Sequence, residues 1–441
     1  MLARAILLSA LAAAITCLSG CGSGTSPTTL TIATVNNGDM ITLKSLAREF
    51  ERRNPDIRLK WAVLEENVLR QRVTTDIATG SGQFDVVTIG NYEVPIWAKQ
   101  QWLTAIANLP SDYDVEDLLQ PVRRAVTYQG KLYALPFYAE SAMTYYRTDL
   151  FAKADLKMPE HPSYAQIAQF AHRLSDREHQ LYGICLRGKP GWGENIPTIT
   201  SIVHAFGGRW FDLQWKSDLL SPQWHRAVSY YADLLKSDGP PGATSNGFNE
   251  NLALFASGHC ALWIDSTVAA TLLYGDSHSP VAGAVGYARM PIGDDPTGPT
   301  WLWSWNLAVP AASKHGEAAT RFAEWATSKA YRSLVAKSKG WIAVPPGTRQ
   351  STYDAAEYRQ AAPFAEFVRN AITTATSDVQ AESPRPYRGA QFVEIPAFQG
   401  IGTQVGQIIA ATLTGQSDVD SALEEANAAT QRAIAQSGSS K

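Results

Sequence analysis

The sequence predicts an α/β protein whose parallel sheets are covered by helices and whose chain divides into more than one lobe. Three observations lead there. Residues 30–90 alternate strand, helix, strand, helix, strand; the alternation resumes in the middle of the chain; and 441 residues are too many for one core and suit two or three domains. Taken in order, Leu30–Val35 reads as a strand, and Ile41–Arg53 as an amphipathic helix with Leu43, Leu46, Ala47 and Phe50 on one face, stopped by Asn54-Pro55. Ile57–Leu64 is a second strand, Asn67–Thr79 a helix, Gly80–Gly82 a turn and Asp85–Gly90 a short apolar strand ending in glycine. This βαβαβ order requires a parallel sheet with helices on its faces. Ligands of such sheets sit beyond the carboxyl ends of the strands, here Asn36-Asn37, Glu65-Glu66 and Asn91-Tyr92-Glu93. Further on, Ser163–Leu174, Gln223–Leu235 and Asn249–Ser257 read as helices, Leu181–Leu186 and Cys260–Ile264 as strands, and Asp238–Gly242 as a turn cluster. Trp301–Trp305 reads as a strand with three rings on one face, Glu317–Lys337 as one long helix, and the C-terminal third as nearly all helix.

The N-terminus carries a separate message. Arg4 precedes the apolar run Ala5–Ile15, and the chain then reads Leu18-Ser19-Gly20-Cys21. This is the pattern of a signal peptide over residues 1–20, too short to span a bilayer permanently, ending in a cysteine that resembles a lipid-acceptor site. Residues 21–28 would then form an uncharged tether behind a lipidated Cys21.

Composition narrows the partners. A net charge of -3 with no Lys/Arg block argues against nucleic acid, which needs a concentrated basic face. With Cys17 leaving in the signal peptide and Cys21 lipidated, Cys185 and Cys260 remain either as one disulfide or as two buried thiols. No His/Cys/Asp/Glu spacing implies a metal, and no motif implies a cofactor. The 13 Trp and 17 Tyr are many for a chain with 18% charged residues, and several have amide or carboxylate neighbours, as in a pocket that stacks and hydrogen-bonds a ligand.

Several long runs carry a family resemblance. Residues Asn67 to Gly90, Tyr182 to Gly188, Gly191-Trp-Gly-Glu-Asn195, Gly247-Phe-Asn-Glu-Asn251, Trp301-Leu-Trp-Ser-Trp-Asn306, Gly340-Trp341, Val344 to Arg349 and Gln391 to Gly402 occur in this order. The chain thereby resembles the maltose-binding-protein-like solute-binding proteins of ABC importers, with most similarity to the sorbitol/mannitol-binding members. The resemblance implies a two-lobed periplasmic-binding-protein fold (type II-like). Each lobe would be a mostly parallel sheet flanked by helices, and the ligand cleft would lie between them. It implies one lobe from residues 28–138 and 305–350, another from 139–304 and 351–435, and a short disordered tail, 436–441.

A polyol or sugar needs carboxylates to accept pairs of hydroxyls, amides or guanidinium groups to donate, and a flat ring against its C–H face. Glu140, in Leu135-Pro-Phe-Tyr-Ala-Glu140, falls at the first inter-lobe crossing, where the resemblance puts a sugar-binding carboxylate. Asn37, Glu65, Asn91 and Glu93 are expected contacts from the first lobe by loop position. Arg187, Trp192, Glu194 and Asp265 are expected from the second, and Trp303, Trp305, Asn306 and Trp341 from the later hinge segments. Structural roles compete: Glu65 and Glu66 suit a helix N-terminus, Asp265 a cap, and Arg187 an ion pair with Glu194. The expected function is capture of a small carbohydrate by a monomeric, membrane-anchored binding protein that hands it to an ABC permease. Sorbitol or mannitol is the first expectation, a hexose, an amino sugar or a phosphorylated sugar the alternatives. A glycoside hydrolase would also need paired carboxylates, but nothing else in the chain marks an enzyme.

Overall fold

A computed structural model describes residues 26–294, 301–375 and 384–437. The expected signal peptide, Cys21 and most of the expected tether and tail lie outside these residues.

Eleven strands are described: β1 Thr28–Val35, β2 Ile57–Leu64, β3 Val86–Gly90, β4 Thr127–Tyr128, β5 Lys131–Leu132, β6 Leu135–Glu140, β7 Ala142–Arg147, β8 Tyr182–Cys185, β9 Cys260–Ser266, β10 Val285–Ala288 and β11 Trp303–Ala308. They form a five-stranded sheet ordered β2-β1-β3-β11-β6, a four-stranded sheet ordered β10-β7-β9-β8, and the small hairpin β4-β5. In the first sheet β1 runs parallel to β2 and β3, while β11 is antiparallel to both β3 and β6. In the second, β8 and β9 are parallel and β7 is antiparallel to β9 and β10. Each sheet is therefore mostly parallel with one reversed strand, β11 or β7, and each reversed strand enters its sheet directly after the chain has crossed from the other. The first crossing is a single residue, Ser141, between β6 and β7.

The sequence explains the elements locally. Leu30, Ile32, Val86, Val87 and Ile89 are buried because both faces of the first sheet are covered. The Asn37 side chain accepts from the Met40 amide and caps Gly38–Leu46; the Glu65 carboxylate accepts from the Val68 amide and caps Glu66–Thr79. Two expected helices are interrupted. The run to Arg53 breaks at Ala47 into Gly38–Leu46 and Arg48–Arg53. The run from Glu317 splits at Ser328, whose backbone leaves the helical region and whose hydroxyl caps the Tyr331 amide of Lys329–Lys339.

Cys185 and Cys260, both fully buried, form a disulfide joining β8 to β9, which resolves the alternatives left open by the sequence. The C-terminal helices Phe398–Leu413 and Val419–Ser437 pack on Asn195–Ala205 and Pro222–Asp238 beside the second sheet. Of the helices between Gln350 and Thr374, Ala365–Thr374 touches β6 of the first sheet and, through Phe367 and with Pro363 in the turn before it, Tyr287 of β10. The division expected at residue 351 thus runs beside a helical segment shared by both lobes. No helix among the described residues is long and apolar enough to cross a membrane.

Candidate functional site

Four strands of the first sheet point their carboxyl ends the same way, and the second sheet closes over that end. The cleft between them encloses about 1090 Å³ including its open mouth. From the first lobe it is lined by Asn36 and Asn37 after β1, Glu65 and Glu66 after β2, Arg70 from Glu66–Thr79, Tyr138 and Glu140 from β6, and Trp303 and Trp305 from β11. From the second come Arg187 and Lys189 after β8, Gly193 and Glu194, Asn249 and Glu250, and Asp265 on β9.

Arg187 is held rigidly. Its Nε and Nη2 donate to Asp265 at 2.9 and 2.6 Å, and its Nη1 donates to the Gly193 carbonyl at 3.0 Å. Asp265 also accepts from the Ser266 amide at 2.7 Å and the Trp263 indole at 3.2 Å, so its oxygens are committed to the protein. Burial pulls the Arg187 pKa down, but Asp265 and Glu194 more than offset this and its net shift is upward. Asp265, an expected contact, is better described as the group that aims Arg187. Glu194 lies 3.8 Å from Arg187, outside hydrogen-bond range, so the expected Arg187–Glu194 pair is secondary to the Asp265 pair.

Glu140 and Glu194 differ from Asp265 in a decisive way. Both are buried at the cleft wall, and in each the Oε2 atom has no hydrogen-bond partner among the described residues. Burial, assisted by Asp265 and Glu66, pushes the Glu140 carboxyl up to about 8 despite Ser266 and Arg187. Burial and the neighbouring Glu66 raise Glu194 to about 8. A buried carboxylate oxygen without a donor is costly, and a ligand hydroxyl is the donor that would relieve it.

The lobes meet across the mouth. Lys189 Nζ reaches Glu65 Oε1 at 2.7 Å, the Asn249 side chain donates to the Asn36 carbonyl at 3.0 Å, and Asn67 donates to the Pro190 carbonyl at 3.3 Å. Glu65 therefore both caps a helix and ties the lobes. Burial works against its ionisation, but Lys189 holds its pKa below the usual carboxylate range. Gly193 lets the second lobe approach this closely: a Cβ there would stand 2.5 Å from Glu66 Oε1 and 2.6 Å from Arg70 Nε.

Five expected contacts do not line the cleft. Asn91 accepts the Ser304 amide at 2.9 Å and ties β3 to β11. Asn306 is buried in β11, donating to the carbonyls of Ile89 and Ser304 at 3.1 and 2.8 Å, beside a register shift after Trp305. Glu93 stands behind the wall, 3.3 Å from Arg70, with burial raising its carboxyl to about 7. Trp192 backs Arg70 and packs on Tyr92 and Phe392. Trp341 opens the short turn Trp341–Ala343 and is partly exposed. Asn37 is committed on both sides, to the Met40 amide and to the Tyr138 hydroxyl at 2.8 Å, but it remains on the lining. Arg70 and Tyr138 were absent from the expected set.

Among the described lining residues, six acids (Glu65, Glu66, Glu140, Glu194, Glu250, Asp265) face three cations (Arg70, Arg187, Lys189), and because burial keeps Glu140 and Glu194 protonated at neutral pH in the empty cleft, four carboxylates stand against three cations. This near balance suits an uncharged ligand rich in hydroxyl groups.

Comparison with known proteins agrees with this geometry. Residues 36–333 match the family described as bacterial extracellular solute-binding protein. A mannitol-binding protein of Pseudomonas aeruginosa is 52% identical over 410 residues, 93% of this chain and 94% of that one. The crystal structure of an ABC transporter solute-binding protein from Agrobacterium vitis S4 with bound D-mannitol superposes with a TM-score of 0.91 at 54% identity, covering 93% of this chain and 99% of the other. A ribitol complex from Agrobacterium radiobacter K84, at 23% identity, TM-score 0.80 and coverage of 92% and 99%, shares the fold. Two mostly parallel sheets closing on a hydroxyl-seeking cleft are the architecture of a protein that captures a solute without transforming it, and this chain belongs to the bacterial extracellular solute-binding proteins of ABC importers.

Proposed function

We propose that the chain captures an uncharged polyol of the mannitol type between its lobes and presents it, in the closed form, to an ABC permease. The observation that carries this reading is the pair of buried, unpartnered carboxylate oxygens on Glu140 and Glu194 beside the fixed guanidinium of Arg187. Adjacent hydroxyls of a polyol can donate to the first two and accept from the third, and a ligand touching both lobes only when they are closed shifts the population toward closure. The mannitol-binding relative at 52% identity supports the same ligand class. Anchoring through a lipid on Cys21 at the extracytoplasmic face of the membrane belongs to this proposal and rests on the N-terminal motif, and action as a monomer belongs to it as well.

Calorimetry and thermal shift with mannitol, sorbitol, ribitol, hexoses, an amino sugar and glycerol phosphates test it. A specific ligand at 100 times its Kd should add about 2.7 kcal/mol of stability. A response to a neutral polyol supports the reading. Silence for every neutral polyol with a response to the amino sugar replaces it with a cationic ligand whose charge Glu140 and Glu194 would answer by ionising.

A further inference from the structure

Three tryptophans at the polar part of the cleft wall, Trp192, Trp303 and Trp305, are already occupied. Arg70 projects from the buried side of Glu66–Thr79, and its guanidinium carbon lies 4.0, 4.8 and 4.9 Å from the ring centroids of Trp192, Trp303 and Trp305. Glu66 holds it at 2.6 Å and Glu93 at 3.3 Å, so the group is fixed by two carboxylates and three rings. The rings are engaged elsewhere too: Trp192 and Trp303 both pack on Phe392, and Trp303 packs edge-on against Trp305. Phe248 on the opposite lobe is covered in the same manner, by Arg187 at 5.3 Å. A closed sugar ring is commonly recognised by laying its flat C–H face on an exposed aromatic face, whereas an open-chain polyol has no such face and relies on hydrogen bonds along its length.

We propose that Arg70 is a specificity-determining residue: by covering the tryptophan faces with a guanidinium it withholds them from sugar rings and restricts the cleft to open-chain polyols. The inference rests on the polyol reading above and adds to it the exclusion of the cyclic form. Arg70 contributes twice, since the guanidinium that covers the rings also stands on the cleft lining, where it can donate to a hydroxyl.

The test is the ratio of Kd values for D-mannitol and methyl α-D-mannopyranoside, which share a six-carbon backbone and most stereochemistry but differ in ring closure and in the glycosidic methyl group. The wild type is expected to prefer the open chain by a hundredfold or more. Arg70→Ala, which bares the rings, is expected to cut that preference at least tenfold, with the pyranoside now changing tryptophan emission. Should Arg70→Ala not fold because it strands Glu93, the double variant Arg70→Ala/Glu93→Gln removes the stranded acid and is read in the same way. A folded variant with an unchanged ratio overturns the inference. So does a wild type that binds both compounds within tenfold, whatever the variants do, and that result leaves the polyol reading standing. A wild type that binds neither overturns the polyol reading itself.

Discussion

Glu140→Gln should make the unliganded protein more stable and bind its ligand more weakly. Burial raises the folded-state carboxyl from 4.5 to about 8, so between these values the native chain holds a proton that the unfolded chain has released. A raised acid pKa costs stability as pH rises through that window: nothing below about 4.5, and increasingly up to about 8, above which the cost is constant. At pH 7 the separation from the unfolded value is about 2.5 units, or about 3 kcal/mol at about 1.4 kcal/mol per unit. Glutamine keeps the shape and removes the titration, so Glu140→Gln should gain up to about 3 kcal/mol at pH 7 and almost none near pH 4. Ligand affinity moves the other way. Glutamine keeps one acceptor oxygen, so a single charged hydrogen bond is lost, about 1.5–3 kcal/mol, a weakening of roughly 10- to 150-fold. Urea denaturation between pH 4 and 8, with and without mannitol, reads both halves. A variant less stable than wild type at pH 7, a gain equal at pH 4 and pH 8, or an unchanged mannitol affinity would each refute the reasoning.

Four further outcomes follow from the same geometry. If hydroxyl donors hold Glu140 and Glu194 ionised in the complex, affinity should rise between pH 6 and 8 by up to about tenfold per pH unit for each proton released; calorimetry in buffers of different ionisation enthalpy counts those protons, and zero release or an affinity that falls with pH contradicts it. Gly193→Ala places a Cβ against Glu66 and Arg70 and should weaken binding by roughly tenfold or more by opposing closure, in line with a cost of 1–3 kcal/mol for overpacking, while the melt of the unliganded protein stays unchanged. Asp265→Ala strands the buried Arg187 and should cost about 3–5 kcal/mol by chemical denaturation, and a loss under 1 kcal/mol would show that Glu194 takes over the pairing. Lys189→Ala cuts a partly exposed inter-lobe pair, so the expected effect on binding is small, under about 1 kcal/mol, and should fade in high salt.

The sequence made the first strand ends legible because βαβαβ patterning places them, which gave Asn37 and Glu65; Arg187, Glu194 and Asp265 were read from later strand ends and the Gly-Trp-Gly-Glu loop, Trp303 and Trp305 from the later hinge crossing, and Glu140 from the family resemblance at the first crossing, and all eight line the cleft. Loop position alone could not separate lining from scaffold. Asn91 follows a strand as Asn37 does, yet its carboxamide is spent on Ser304, a residue some two hundred positions away whose place in the sheet no local pattern reveals. Arg70 was hidden for the opposite reason. Glu66 and Arg70 at i and i+4 look like an ordinary solvated helix pair, and only the arrival of Trp192, Trp303 and Trp305 from distant segments turns that face inward. The interruptions at Ala47 and Ser328 escaped because apolar periodicity continues across them; at Ser328 the cue was a serine able to cap the next helix.

The position of β11 carries a consequence for how this protein is made. It lies between β3 and β6, so the first sheet cannot close until residues 303–308 have been synthesised, although its other four strands are finished by residue 140. Until then β3 and β6 each present an unpaired edge, a template for the wrong neighbour. Closing a contact over so long a separation is intrinsically slow. The nascent N-terminal half is thus delayed from locking into its final form, and a gene truncated anywhere before residue 303 should yield aggregate and not an isolated lobe.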